Sequence, residues 1–257
     1  MAYETILFDE ADGIAVITLN RPEVMNALNT KMRAEITGAV TKAAASARVV
    51  VLTGTGRAFC SGQDLSDRVD GDFDLSKTLA EEYEPMLRAI LAAEVPVISA
   101  VNGAAAGAGA NLALAADVVI AAESASFIQA FTRIGLIPDA GGTYVLPRAM
   151  GMAKAMGAAL FADKVTARQA AEWGMIWEAI PDEDFATHWR ARAAHLAKGP
   201  TAAYARVKQA MRASLANDIE MQLALEARLQ GECGQTRDFR EGVDAFLEKR
   251  LARFQGR

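Results

Sequence analysis

The residues best suited to chemistry lie between Val95 and Arg148. Ala104 to Gly109 contains only alanine and glycine, so backbone there can approach a ligand closely. A glycine-rich turn that opens a helix leaves N–H groups without partners, and these favour developing negative charge. The same stretch delivers one acid, Asp139, within Ile137-Pro138-Asp139-Ala140-Gly141-Gly142. Phe59-Cys60-Ser61-Gly62-Gln63-Asp64-Leu65 is a second turn able to present amides. Anion-binding amides and a single carboxylate in an apolar frame point to proton abstraction beside a carbonyl. Asp139 has a structural use too: aspartate is a favoured N-cap, and a helix is predicted to start near Gly141.

These residues need a frame, and the hydrophobic pattern supplies one. Thr5–Phe8 and Ile14–Leu19 read as a hairpin about Asp12-Gly13. Leu28, Met32, Ile36 and Val40 make one stripe of a helix from Leu28 to Ala45. Val49–Leu52, Val95–Val101, Asp117–Ala121 and Met175–Ile180 read as strands. Ser66–Ser76 reads as a mobile loop, followed by a helix over Lys77–Ala93. The glycine-rich turn continues as helix from Asn111 to Ala116, with further helices over Gly151–Leu160 and Thr166–Glu172. Beyond Glu183 the pattern is helical almost throughout. The expectation is an α/β core over residues 1–181 and a helical region over 182–257.

Composition removes several alternatives. With 27 Lys and Arg against 32 Asp and Glu the net charge is −5, which argues against nucleic acid as the main partner. Cys60 and Cys233 have no metal-binding or pairing pattern, so reduced thiols in the cytoplasm are expected. The opening MAYETILFDEADG carries acids and no apolar core segment, so no signal peptide is expected. Val95–Ala116 carries no charge and contains Gly103-x-x-x-Gly107, but Pro96 and the Asn102-Gly103 turn interrupt it, so no membrane span is expected. Gly107-x-Gly109 is followed by Leu112 where the dinucleotide fingerprint requires glycine. His188 and His195 share a predicted helix without a third ligand, so no metal site is expected.

Four motifs together carry a resemblance over essentially the whole chain. Phe59–Asp64, Ala100-Val101-Asn102-Gly103, Gly107-Ala108-Gly109-Ala110 and Gly135–Gly142 resemble the crotonase (enoyl-CoA hydratase/isomerase) superfamily. The resemblance implies a spiral of strand-strand-helix repeats with a C-terminal helical trimerisation domain, the trimers often pairing into hexamers. It implies an acyl-CoA substrate; the amide-presenting turns and the failed nucleotide and metal motifs predict neither metal nor redox cofactor. By motif, the N–H groups of Gln63 and Ala108 become the oxyanion hole for the thioester oxygen. Ser61, Asp64, Leu65 and Phe131 fall at substrate-contacting positions. Phe246 and Lys249 match residues that close on CoA from a neighbouring subunit, although Lys249 equally fits a solvated surface.

One departure bears on the reaction. Hydratases of this family carry two water-handling glutamates; at the matching positions this chain has Asn111 and Phe131. Neither an amide nor a phenyl ring exchanges protons with water. Asp139 remains, as in family members that isomerise double bonds. Transposition removes a proton from one carbon and returns it to another, so one carboxylate suffices. Flanked by Phe131, Ile134, Leu136 and Ile137, Asp139 is expected to have a pKa raised by desolvation. An acyl-CoA isomerase is therefore expected, with a dehalogenase-like enzyme or a non-catalytic acyl-CoA-binding subunit as alternatives.

Overall fold

The computed structural model describes residues 3–66 and 74–257. Its strands are β1 (Ile6–Ala11), β2 (Ile14–Leu19), β3 (Val49–Gly54), β4 (Ala58–Cys60), β5 (Val97–Val101), β6 (Ala104–Ala106), β7 (Val118–Ala122), β8 (Ser126–Ile128), β9 (Val165–Thr166) and β10 (Glu178–Ile180). Its helices are α1 (Thr30–Ser46), α2 (Leu75–Thr78), α3 (Glu84–Ala92), α4 (Ala108–Leu114), α5 (Gly142–Met150), α6 (Met152–Phe161), α7 (Ala167–Glu172), α8 (Asp182–Ala197), α9 (Thr201–Ala213), α10 (Ile219–Gly234) and α11 (Arg237–Leu247).

Two sheets carry the fold. The larger runs β1-β2-β3-β5-β7-β10, and the smaller β4-β6-β8-β9. β1 and β2 form the expected antiparallel hairpin, and the larger sheet is parallel from β2 to β10. β3 and β5 are almost wholly buried, which is why they read as continuous Val/Ile/Leu runs. After a few residues the chain passes from a strand of the larger sheet to one of the smaller: β3 to β4, β5 to β6, β7 to β8. This is the strand-strand-helix spiral of the crotonase fold.

The corners between the sheets are tight, and side-chain amides staple them. Asn102 Oδ1 accepts from the Gly54 N–H at 3.1 Å, and its Nδ2 donates to the Gly56 carbonyl at 3.0 Å. A Cβ at Gly103 would collide with the Arg57 backbone, so glycine is required there. Buried Asn26 serves the same corner, donating to the carbonyls of Thr55 and Ala58 at 3.0 and 2.9 Å.

The expectations differ from the structure at several points. The smaller sheet leaves no periodic signal in the sequence, because strands of two or three residues are too short to show one. α4 starts at Ala108, not Asn111. The strand expected over Met175–Ile180 is confined to Glu178–Ile180. Within the expected mobile loop Ser66–Ser76, residues 67–73 lie outside the described residues, and Leu75 already opens α2. A five-residue π-helical turn, Leu79–Tyr83, joins α2 to α3 just ahead of Pro85, which has no N–H to offer the helical ladder.

α8 lies on the larger sheet and buries Phe185, Trp189, Ala193 and Ala197. α9, α10 and α11 surround a cavity of about 1000 Å³ lined by Val207, Leu223, Val243 and Phe246 among others. Met211, Leu215, Ile219 and Leu223 are exposed in this region, whereas Leu229 is buried in its own chain. No described helix is long and apolar enough to cross a membrane.

Candidate active site

The Gln63 turn runs beside α1's leading residues. The Leu28 N–H donates to the Gly62 carbonyl at 2.8 Å, and the Asp64 N–H donates to the Leu28 carbonyl at 3.0 Å. Leu28 thus pairs in parallel with Gln63, which turns the Gln63 N–H to the opposite edge. Ala108, the first residue of α4, has an N–H with no intrahelical acceptor. Gly107 ahead of it has φ 51°, a left-handed value that glycine adopts readily. The two turns touch: a Cβ on Gly62 would lie 2.8 Å from the Ala106 carbonyl and 3.4 Å from the Ala108 nitrogen. Gly109 is equally confined, since its Cβ would meet the Cys60 backbone and sulfur. Cys60 is fully buried, which pushes its thiol up to about 12.

The Gln63 side chain is clamped by two residues that spacing did not reveal. Its Oε1 accepts from the Tyr83 hydroxyl at 2.6 Å and from Arg33 Nη1 at 3.0 Å, while its Nε2 donates to the Asp64 carbonyl at 3.2 Å. Arg33 is 1% exposed; Glu82 Oε2 neutralises it at 2.5 Å, and its guanidinium carbon stands 4.8 Å from the Tyr83 ring centre. A buried arginine is tolerated only with such partners. In sequence Arg33 resembles any solvated helical arginine, and Tyr83 any apolar-face residue.

Asp139 sits in the turn that leads into α5. Ala140 and Gly141 are left-handed (φ 47° and 81°), and the Gly142 N–H closes on the Asp139 carbonyl at 2.8 Å. The N-cap of α5 is Gly141, with no side-chain cap bond, so the capping use of Asp139 is not realised. Its Oδ1 is buried without a hydrogen-bond partner. Desolvation raises its pKa from 3.8 to about 6, against a lowering contact with its own backbone. Of the four residues expected to bury it, Phe131 is buried and Leu136 half-buried, whereas Ile134 and Ile137 are 58% and 76% exposed. Tyr83 lies on the Asp139 side. Burial pushes its hydroxyl up, and the negative charge of Asp139 adds to this against the Arg33 guanidinium.

The other expected site residues divide. Phe131 is buried beside Gly107, whose Cβ would lie 3.8 Å from the ring. Asn111 is also buried, its Nδ2 donating to the Asp139 carbonyl at 2.8 Å. Ser61 Oγ donates to the Val24 carbonyl at 3.2 Å. The Asp64 carboxylate accepts from Ser66 Oγ at 2.6 Å and Arg21 Nη1 at 2.8 Å; the Ser66 bond and Arg21 hold its pKa low despite burial, so it serves the turn itself. Leu65 is exposed. Phe246, near the end of α11, and Lys249, just beyond it, are exposed, and neither bonds to Gln63, Ala108 or Asp139 among the described residues. His188 pairs with Glu178 at 2.7 Å. Among the described residues no cluster of metal-ligating side chains occurs.

Comparison with known proteins fits this geometry. Residues 9–257 match the enoyl-CoA hydratase/isomerase family. A Rhodobacter capsulatus protein named "Probable enoyl-CoA hydratase" is 66% identical over 257 residues, the whole of both chains. The 1,2-epoxyphenylacetyl-CoA isomerase of Escherichia coli is 46% identical, with 99% of each chain covered. The crystal structure of an enoyl-CoA hydratase from Bacillus anthracis superposes with a TM-score of 0.93 at 31% identity, covering 99% of this chain and all of the other. The chain belongs to the enoyl-CoA hydratase/isomerase family.

Proposed function

We propose that the protein is an acyl-CoA isomerase in which Asp139 moves the proton and the N–H groups of Gln63 and Ala108 hold the thioester oxygen. The observation that carries this reading is the half-buried Asp139 carboxyl, whose Oδ1 is buried and unpartnered at the end of an apolar turn. Such a group is a base poised near working pH, with no structural duty for that oxygen. Proton loss beside the thioester places negative charge on its oxygen. The N–H groups of Gln63 and Ala108 would stabilise that charge, and one such donor is typically worth about 3 kcal/mol. The same carboxyl then returns the proton at the far end of the shifted double bond.

Two features favour isomerisation over hydration. Asn111 and Phe131 occupy the places of the water-handling acids, and the Asn111 amide is already engaged with the Asp139 carbonyl. The 46% identity to 1,2-epoxyphenylacetyl-CoA isomerase extends over the whole chain. In the finer reading, the substrates are ring-epoxidised phenylacetyl-CoA, opened to the oxepin, and enoyl-CoA esters whose double bond moves into conjugation. CoA is part of the substrate, and no metal or redox cofactor takes part. We further propose a trimer or a pair of trimers formed through the exposed apolar faces after Pro181, with Phe246 and Lys249 reaching the CoA of a neighbouring subunit.

Purified protein assayed with β,γ-unsaturated hexenoyl-CoA, epoxyphenylacetyl-CoA and crotonyl-CoA tests the reading. Turnover of either of the first two, with crotonyl-CoA hydration far below about 10 per second, is expected. Efficient hydration without isomerisation refutes it.

A further inference from the structure

Asn111 does more than mark the loss of an acid. The Asp139 carbonyl accepts two hydrogen bonds at 2.8 Å, from the Gly142 N–H and from Asn111 Nδ2. A carbonyl can only accept, so the Asn111 amide must present its NH₂ group there. Its Oδ1 then faces Gln129, whose Nε2 donates to it at 2.9 Å. Both side chains are 2% exposed, and Gln129 Oε1 has no hydrogen-bond partner. Gly142 packs directly on the Asn111 amide; any Cβ there would collide with Nδ2. The turn needs this support because Ala140 is left-handed at φ 47°, a conformation that disfavours residues with a Cβ.

We infer that Asn111 and Gln129 are positioning residues for Asp139, forming a buried amide relay that fixes the base relative to the oxyanion hole. Asn111 stands three residues after Ala108, on the same face of α4 and about 4.5 Å further along its axis. One short helix thus carries a hole N–H and the tether of the base. A carboxylate at position 111 would have no proton to give the Asp139 carbonyl, so the amide is required where a hydratase of this family has an acid. This inference rests on the proposed role of Asp139.

Three variants test it: Asn111→Ala, Gln129→Met and Asp139→Asn, each assayed with β,γ-unsaturated hexenoyl-CoA for kcat, KM and the pH profile of kcat, beside a thermal melt. With the tether gone, Asp139 loses its alignment and gains water. For Asn111→Ala the expected result is a kcat roughly 10- to 100-fold lower at nearly unchanged KM. The pH midpoint should fall from about 6 towards an ordinary carboxylate. Gln129→Met, which leaves the Asn111 donor but frees its orientation, should shift both in the same direction by less. A merely structural role lowers the melting temperature and leaves the midpoint in place. If Asn111→Ala does not fold, Gln129→Met decides alone. Wild-type kcat and midpoint in the folded variants, or a change confined to KM, overturn the inference while an inactive Asp139→Asn leaves the proposed function standing. An active, folded Asp139→Asn overturns both.

Discussion

Asp139→Asn should make the protein more stable at neutral and alkaline pH while removing its base. The native carboxyl has a pKa of about 6 against an ordinary 3.8, so between these values the folded state binds more protons than the unfolded one. Stability therefore falls as pH rises through this window, the reverse of a salt-bridged aspartate. The rise is about two pH units, and at roughly 1.4 kcal/mol per unit the burden on the native state approaches 3 kcal/mol above pH 7. Asparagine preserves the shape and carries no charge to desolvate. At about 2–4 °C per kcal/mol for a chain of this size, the variant should melt roughly 6–12 °C above wild type at pH 8. The gap should narrow as pH falls through this window and close below about 3.8, where Asp139 is protonated in both the folded and the unfolded state. Melts followed by circular dichroism in a pH series read both curves. Equal melting temperatures at pH 8, or a less stable variant, would refute the picture of a desolvated, unpartnered carboxylate.

Other consequences are open to measurement. Isomerisation by the wild type should rise with pH through an apparent pKa near 6 and plateau by pH 8; a flat profile from pH 4.5 to 8 would remove Asp139 as the titrating base. Gly109→Ala drives a Cβ onto the Cys60 backbone and should lower stability by about 1–3 kcal/mol with loss of turnover, read from a denaturant midpoint; wild-type stability would contradict the close packing of α4. Tyr83→Phe removes one of two donors to Gln63 Oε1 and should cost about 1 kcal/mol of stability. Turnover in that variant should drop less than about 10-fold; complete inactivity would assign the hydroxyl to the chemistry itself.

What the sequence disclosed followed from chain-local signals. β3 and β5 were legible because parallel strands buried on both faces need uninterrupted apolar runs. The Gly107–Ala110 turn and Asp139 were legible because small residues and a lone acid after Ile-Pro stand out locally. The smaller sheet was not, since Ala104–Ala106 or Ser126–Ile128 has no period to detect. The desolvation of Asp139 was expected, but two of its four expected neighbours, Ile134 and Ile137, are exposed. Asn111 registered only as an absent acid. Its bond to Asp139, 28 residues away, and the clamp on Gln63 from Arg33 and Tyr83, 30 and 20 residues away, depend on which turns the spiral stacks together.

The central claim is that one desolvated carboxyl performs the proton transfer. Its most direct test is the rate of β,γ- to α,β-double-bond transfer in hexenoyl-CoA at pH 8, for wild type and Asp139→Asn at saturating substrate, with the variant's melt in hand. The expected result is a folded variant that binds the ester and is slower by roughly 100- to 10,000-fold. A folded variant that isomerises at the wild-type rate would contradict the account.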